Sequence, residues 1–250
     1  MNDSLCRVDA LLTGKVAPLG DCGKRSAIDK HPVTGRIRLD ETGLDGDEQA
    51  DHKHHGGAEK ALHHYAFDHY ATWRDEWLNG SSADDCDAQT SLTGLARLAR
   101  FASRGAFGEN VSTLGMTEAN VCVGDVYRIG DAIVQVSQPR QPCWKLNLRF
   151  TRDDMSRRVQ ETRRTGWYYR VLEAGDIGAG DRIERLARVH PQWTVERLLY
   201  VLYVDRDNLA ALEQMAKLDT LTPSWRATAA KRLASGAVES WSKRLDTPAD

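Results

Sequence analysis

The sequence predicts a mainly β protein of the α+β class, a closed or partly closed β-barrel followed by a small domain of three helices. Two observations carry this. From Val8 to about Gly180 the chain alternates short aliphatic or β-branched runs with Gly- and Asp-rich turns, the pattern of many short strands. Beyond Pro191 the apolar period lengthens from two to between three and four, as on helical faces. The barrel domain is therefore set at residues 1–190 and the helical domain at residues 191–250.

The elements follow in order. "VDALLTGKVAPLG" and "GRIRLDETGLDGDEQ" read as strands entering Gly/Asp turns. "AFDHYATWRDEW" reads as a helix with Phe67, Tyr70, Trp73, Arg74 and Trp77 on one face, and Asp68 near its start, where the dipole favours an acid. "NGSSADDCDAQTS" (79–91) has no period and reads as a mobile polar loop. "VCVGDVYRIGDAIVQVSQ" reads as a hairpin around an Ile-Gly-Asp turn. "PCWKLNLRF" begins a helix with Pro142 at its first position, "RDDMSRRVQETRR" is helical, and "GWYYRVLEAGDIGAGDRIERLARV" returns to strand, turn and strand. In the helical domain, "TVERLLYVLY" puts Val195, Leu198, Leu199 and Leu202 on one face behind Thr194 as N-cap. "DNLAALEQMAKL" follows with Asp207 as its cap. "TPSWRATAAKRLASG" places Trp225, Ala229 and Leu233 at i, i+4 and i+8 between Pro223 and Gly236.

At 250 residues, 41% hydrophobic and 28% charged, the chain is long enough to bury a real core. Its formal net charge of −2 gives no general pull toward nucleic acid or membrane. No run approaches the ~18–20 apolar residues of a spanning helix. "MNDSLCRVDALLTGK" is too polar for a signal peptide, so the expected compartment is the cytoplasm. "KLDTLTPSWRATAAKRL" has four Lys/Arg but no recognition-helix pattern. Neither nucleic acid nor membrane is an expected partner. The cysteines Cys6, Cys22, Cys86, Cys122 and Cys143 are odd in number and include no CxxC pair, which supports neither a disulfide framework nor a four-cysteine zinc site.

One cysteine has an unusual setting. In "VSQPRQPCWKL", Cys143 follows Pro139 and Pro142, with Arg140 three positions before it and Lys145 two after. In the first turn of a helix its sulfur would face unpaired N–H groups, and the dipole favours an anion there by about 0.3–1 kcal/mol. Arg140 and Lys145 add attraction for the thiolate, the form that binds soft metals or attacks electrophiles. A small core residue beside a tight turn fits the same residues, and they leave both readings open. The other four cysteines have no such setting.

"GDEQADHKHHGGAEKALHHY" packs five of the eight histidines into thirteen residues: His52, His54, His55, His63 and His64, with Asp47 and Asp51 nearby. Histidine and carboxylate can build a Zn or Fe site, but the spacing fits no HExxH arrangement. The alternative is a His55-Gly56-Gly57 turn that lets backbone approach a ligand. "AFGENVSTLGM" places Gly108 and Asn110 in a turn suited to offering donors to an anion.

Taken in order, "GLDGDEQADHKHHGG", "KALHHY", "FGENVSTLGMTEANVCVGDVYRIG", "VSQPRQPCWKL" and "GWYYRVLEAGDIGAGD" resemble a MOSC domain, the module named for the C-terminus of molybdenum cofactor sulfurases. The likeness is to the stand-alone bacterial YiiM type, linked to resistance to 6-N-hydroxylaminopurine. It covers roughly residues 8–190, and the terminal helices resemble the three-helix domain appended in that type. The resemblance implies a distorted β-barrel with a pocket for the molybdopterin form of the molybdenum cofactor. The family's motif cysteine maps onto Cys143, which makes that sulfur the expected molybdenum ligand and catalytic residue. His55 and Gly57 match the family's "HGG" and His64 its "HY", leaving His52, His54 and His63 as extras. Expected cofactor contacts are Arg140, Asn110, His55, Lys60, Lys145, Arg170 and Ser137.

The resemblance further implies reduction of N-hydroxylated bases or related small molecules, a detoxification. Two other readings stand beside it: a sulfur carrier that uses Cys143 as a persulfide, and a non-catalytic cofactor-delivery module. The chain lacks the PLP-binding domain of the full sulfurases and the extra N-terminal β-domain of the amidoxime-reducing proteins. Expected partners are a small N-hydroxylated substrate, an electron-donor protein and, to complete the pocket, a second copy of the chain in a homodimer.

Overall fold

The computed structural model describes residues 6–20, 23–51, 55–79 and 98–248. The loop expected at 79–91 lies, beyond its first residue, outside them, as do His52, His54, Cys22 and Cys86.

In chain order the first strands are β1 (Cys6–Arg7), β2 (Ala10–Gly14), β3 (Ala17–Pro18), β4 (Arg25–Ser26), β5 (Lys30–Pro32), β6 (Arg36–Asp40) and β7 (Gly43–Leu44). A 3₁₀ turn at Ala58–Lys60 leads into β8 (Leu62–Ala66), helix α1 (Asp68–Asn79) and β9 (Val111–Thr113). Then come β10 (Val126–Ile129), β11 (Ala132–Pro139), helices α2 (Lys145–Phe150) and α3 (Met155–Thr162), β12 (Trp167–Glu173), β13 (Gly175–Gly178) and β14 (Arg182–Ala187).

Nine of these strands form one curled sheet in the order β1-β14-β10-β11-β12-β8-β9-β2-β5. Its curl has a simple cause: one stretch of chain joins one edge to the strand next to the other. Cys6 and Arg7 pair with β14, while Ala10 and Leu11, a few residues on, pair with β9. Between them the Val8 N–H donates to the Asp181 carbonyl and the Asp9 N–H to the Ser112 carbonyl, both at 2.9 Å. The barrel is thereby partly closed, as the strand pattern predicts. The β10–β11 hairpin turns at Gly130-Asp131, with Ile129 paired to Ala132. Gly130 takes φ 54, a conformation a side chain resists.

Val134 and Val136 on β11 and Trp167 and Tyr169 on β12 are fully buried and pack with Leu11, Leu62 and Val111. A second, aromatic cluster of Tyr65, Tyr70, Trp73, Phe101, Phe107 and Phe150 ties α1 and α2 to the flank. On α1, Tyr70 and Trp73 turn inward while Arg74, expected on their face, is exposed.

The terminal helices are α4 (Val195–Tyr203), α5 (Leu209–Ala216), α6 (Pro223–Ser235) and a short α7 (Ser242–Leu245). Val195, Leu198, Leu199 and Leu202 are buried in the same cluster as the barrel strands. Thr194 caps α4 by accepting the Arg197 N–H at 3.0 Å. The cap of α5 is Asn208, not Asp207: its side-chain oxygen accepts the Ala211 N–H at 2.9 Å, one residue further along. Pro223 opens α6 and Gly236, at φ 63, closes it. No periodic pattern announced α7. Among the described residues no helix is long and apolar enough to cross a membrane.

Candidate functional site

Strand β11 delivers the cysteine. Past its end the Arg140 N–H donates to the Gly166 carbonyl at 2.9 Å, a last rung toward β12. Gly166 sits at φ 73 and a Cβ there would strike the His64 carbonyl, so only glycine allows this close approach. Pro142, Cys143 and Trp144 then precede α2. The helix starts at Lys145, later than predicted, so Cys143 lies ahead of its first turn rather than inside it; the Cys143 carbonyl accepts the Leu146 N–H at 3.0 Å. With six residues, α2 contributes little dipole. Positive charge at the sulfur comes instead from side chains.

Cys143 is half-buried and lies where two cavities meet; both also touch His55, Lys60, Lys145 and Tyr168. The first cavity runs inward past Arg140 to Lys30, His63 and Asn110. Arg140 is only 6% exposed, and its Nη1 is buried with no hydrogen-bond partner among the described residues. A guanidinium nitrogen left this way is costly unless a ligand completes it. At the inner end, Lys30 Nζ lies 2.5 Å from the Asp47 carboxylate, which also accepts the Gly14 N–H at 2.7 Å. Burial lowers the Lys30 pKa, and the Asp47 charge opposes that.

The predicted residues divide by what their polar atoms do. His55 approaches the sulfur directly, with Nε2 3.4 Å from Cys143 Sγ. Burial, reinforced by the Lys145 charge, pushes the His55 pKa down to about 4. Lys60 and Lys145 line both cavities. Burial lowers the Lys60 pKa, against the pull of Asp51 and the Cys143 sulfur. Asn110 lines the first cavity with its amide fully occupied: Oδ1 accepts the His63 N–H at 3.1 Å, and Nδ2 donates to the Leu12 carbonyl at 3.2 Å and to Asp47 at 2.9 Å. It braces the floor rather than offering a free donor.

Ser137 and Arg170 line neither cavity. The buried Ser137 hydroxyl donates to the Glu59 carbonyl at 2.6 Å, fastening the 3₁₀ turn that carries Lys60 onto β11. Arg170 is held by Glu59 at 2.6 Å, by Gln135 at 2.7 Å and by the Thr220 carbonyl at 2.9 Å. Its charge is already matched.

Of the two adjacent histidines of β8, the one that matches the family's "HY" lies away from both cavities and the one set aside as an extra lines the first. His64 points into the barrel, bonded to Thr113 Oγ1 at 2.8 Å and the Tyr169 hydroxyl at 3.0 Å. His63 faces the first cavity, its Nδ1 donating to the Gly108 carbonyl at 3.2 Å. Strand alternation separates them. Among the described residues no group of three His, Cys, Asp or Glu side chains could hold a metal. Lys30 and Tyr168 were missed from sequence, and His63, set aside there as an extra, lines the first cavity. Tyr168 is the register partner of His63 across β12 and β8, and only that pairing brings it in.

A family model of the MOSC domain matches residues 51–184, and one of the YiiM-like 3-alpha helix domain matches residues 193–236. The chain belongs to the MOSC family. Protein YiiM of Escherichia coli (strain K12) is 38% identical over 233 residues, covering 93% of this chain and 95% of that protein. The crystal structure of E. coli YiiM matches with a TM-score of 0.76 at 31% identity, over 97% of this chain and 100% of that chain. YiiM from Geobacillus stearothermophilus matches with a TM-score of 0.70 at 32% identity, over 91% and 99%. A Gibberella moniliformis protein named "Reductase" is 39% identical over 198 residues, 78% of this chain and 32% of that longer protein. MOSC domains are associated with molybdenum cofactor binding.

Proposed function

We propose that the chain holds the molybdopterin form of the molybdenum cofactor, with Cys143 as a sulfur ligand to the metal, and reduces N-hydroxylated bases or similar small molecules in the cytoplasm. The observation that carries this is the pairing, in one cavity, of a half-exposed sulfur with a buried arginine whose Nη1 lacks a partner among the described residues.

The residues suit such a group. Thiolate is a soft donor, and guanidinium is the side chain best shaped for a phosphate fork. Arg140, with Lys60 and Lys145 nearer the mouth, binds and orients the anionic end. His55, neutral at pH 7, covers the sulfur without adding a fourth positive charge. The second cavity reaches the sulfur from the side of the terminal helices and admits substrate there. When bound, the cofactor supplies the two-electron centre for the N–O bond: R–NHOH plus two electrons and two protons gives R–NH2 and water. The electrons come from a separate donor protein, and a homodimer is the proposed assembly.

The test is turnover. Protein from a cofactor-competent host, given 6-N-hydroxylaminopurine and chemically reduced viologen, forms one amine per two electrons, and Cys143→Ser abolishes it. Equal turnover by the variant would remove the sulfur from the reaction.

A further inference from the structure

The second cavity has a wall that neither matched family model includes. Its lining takes in Lys243 and Arg244, whereas the two models end at residues 184 and 236. These residues belong to α7, a four-residue polar turn too short to be stable by itself. Tertiary bonds must hold it, and they converge on the cysteine turn.

Both peptide groups that flank Cys143 are bonded to one residue. The Trp144 N–H donates to the Arg244 carbonyl at 2.7 Å, and Arg244 Nη1 donates to the Pro142 carbonyl at 2.5 Å. The other arm of the guanidinium, Nη2, donates to Gln160 Oε1 on α3 at 2.5 Å. The next carbonyl, Leu245, accepts from Asn147 Nδ2 at 2.9 Å and from the Ser156 hydroxyl at 2.7 Å. The Leu245 side chain is buried, and the Trp241 ring meets Tyr203 edge-on at 5.4 Å. Residues 141–143 have no helix or strand of their own to fix them.

We propose that Arg244 is a positioning residue for Cys143, and that residues 241–247 form a clasp that aims the sulfur between the two cavities and walls the second. The proposal rests on Cys143 being the reacting sulfur. The arrangement explains why a surface turn without apolar period is ordered: its carbonyls and one guanidinium take up donors and acceptors that the cysteine turn and the start of α3 would otherwise leave unpaired.

The test uses the metal-free full-length chain, so its outcome is independent of molybdenum content. Iodoacetamide labelling of Cys143 is followed by peptide mass spectrometry, with Cys6 on β1 as internal reference. Arg244→Ala is expected to speed Cys143 labelling at least fivefold, with the Cys6 rate unchanged within twofold. Arg244→Lys, which keeps one donor for the Pro142 carbonyl, returns the rate at least halfway. Ser156→Ala cuts one bond to the Leu245 carbonyl away from the sulfur and moves the rate the same way by a smaller factor. A Cys143 rate within twofold of wild type in both Arg244→Ala and Ser156→Ala would overturn the proposal. So would a parallel rise at Cys6, which marks general loosening.

Discussion

His55 sets its Nε2 3.4 Å from the Cys143 sulfur, while its Nδ1 lies 3.6 Å from an Asp51 carboxylate oxygen. The ring is held between an acid and a thiol, yet burial and the Lys145 charge keep its pKa near 4. It is a neutral neighbour of the sulfur at pH 7. His55→Phe keeps the bulk and removes both nitrogens. Turnover is expected to fall about tenfold, equivalent to ~1.4 kcal/mol of barrier, with the melting temperature little changed. Steady-state kinetics beside a thermal melt checks this, and unchanged turnover would reduce the contact to packing.

Arg140 gives a prediction about anions alone. Its buried Nη1 has no hydrogen-bond partner among the described residues. Inorganic pyrophosphate titrated into the metal-free protein is expected to bind at least tenfold more weakly to Arg140→Leu. Arg140→Lys recovers only part, because an ammonium lacks the planar fork. Calorimetric titration reads both, and equal affinity for wild type and Arg140→Leu would move the anion elsewhere.

The Lys30–Asp47 pair predicts non-additive stability. The two side chains are only 4% and 6% exposed, and Asn110 and Gly14 complete the acid's bonding. Removing one partner strands a buried charge, so Lys30→Met or Asp47→Leu alone is expected to cost about 3–5 kcal/mol. The double variant costs clearly less than the sum. Urea unfolding of the four proteins completes the cycle, and strict additivity would mean the pair does not interact.

Acid sensitivity follows from the β8 histidines. Burial pushes both His63 and His64 from 6.5 down to about 3. Below pH 6.5 the unfolded chain takes up protons that the folded chain refuses. Their contribution is therefore complete above about 6.5 and is lost as pH falls toward 3. Glu109, raised by burial, acts oppositely, losing its share as pH rises, but one carboxyl is set against two imidazoles. The urea midpoint should drop between pH 7 and 5, and less steeply in His64→Gln. A flat midpoint would contradict the burial of uncharged rings.

Much of this architecture can be read from local pattern. The β10–β11 hairpin is written in Gly130-Asp131, and α4 and α6 in their apolar spacing and caps. Cys143 stands out because its flanking prolines and cations are adjacent in sequence. Lys30, Tyr168 and Arg244 are not adjacent to anything they serve; only pairing of β5 with β2, of β12 with β8, and the return of the terminal segment bring them to the two cavities. The inward turn of His64 was within reach. Leu62, His64 and Ala66 share one face of β8, and a leucine on that face marks it as core. The later start of α2 was not, since the bonds of Pro142 and Trp144 to Arg244 come from a hundred residues away.

The most direct measurement is molybdenum and pterin content of the chain produced in a cofactor-competent cytoplasm, wild type against Cys143→Ser. Wild type should carry about one molybdenum per chain, with the variant losing most of it while keeping its fold by circular dichroism. Equal molybdenum in a folded Cys143→Ser protein would contradict the assignment of this sulfur as the ligand.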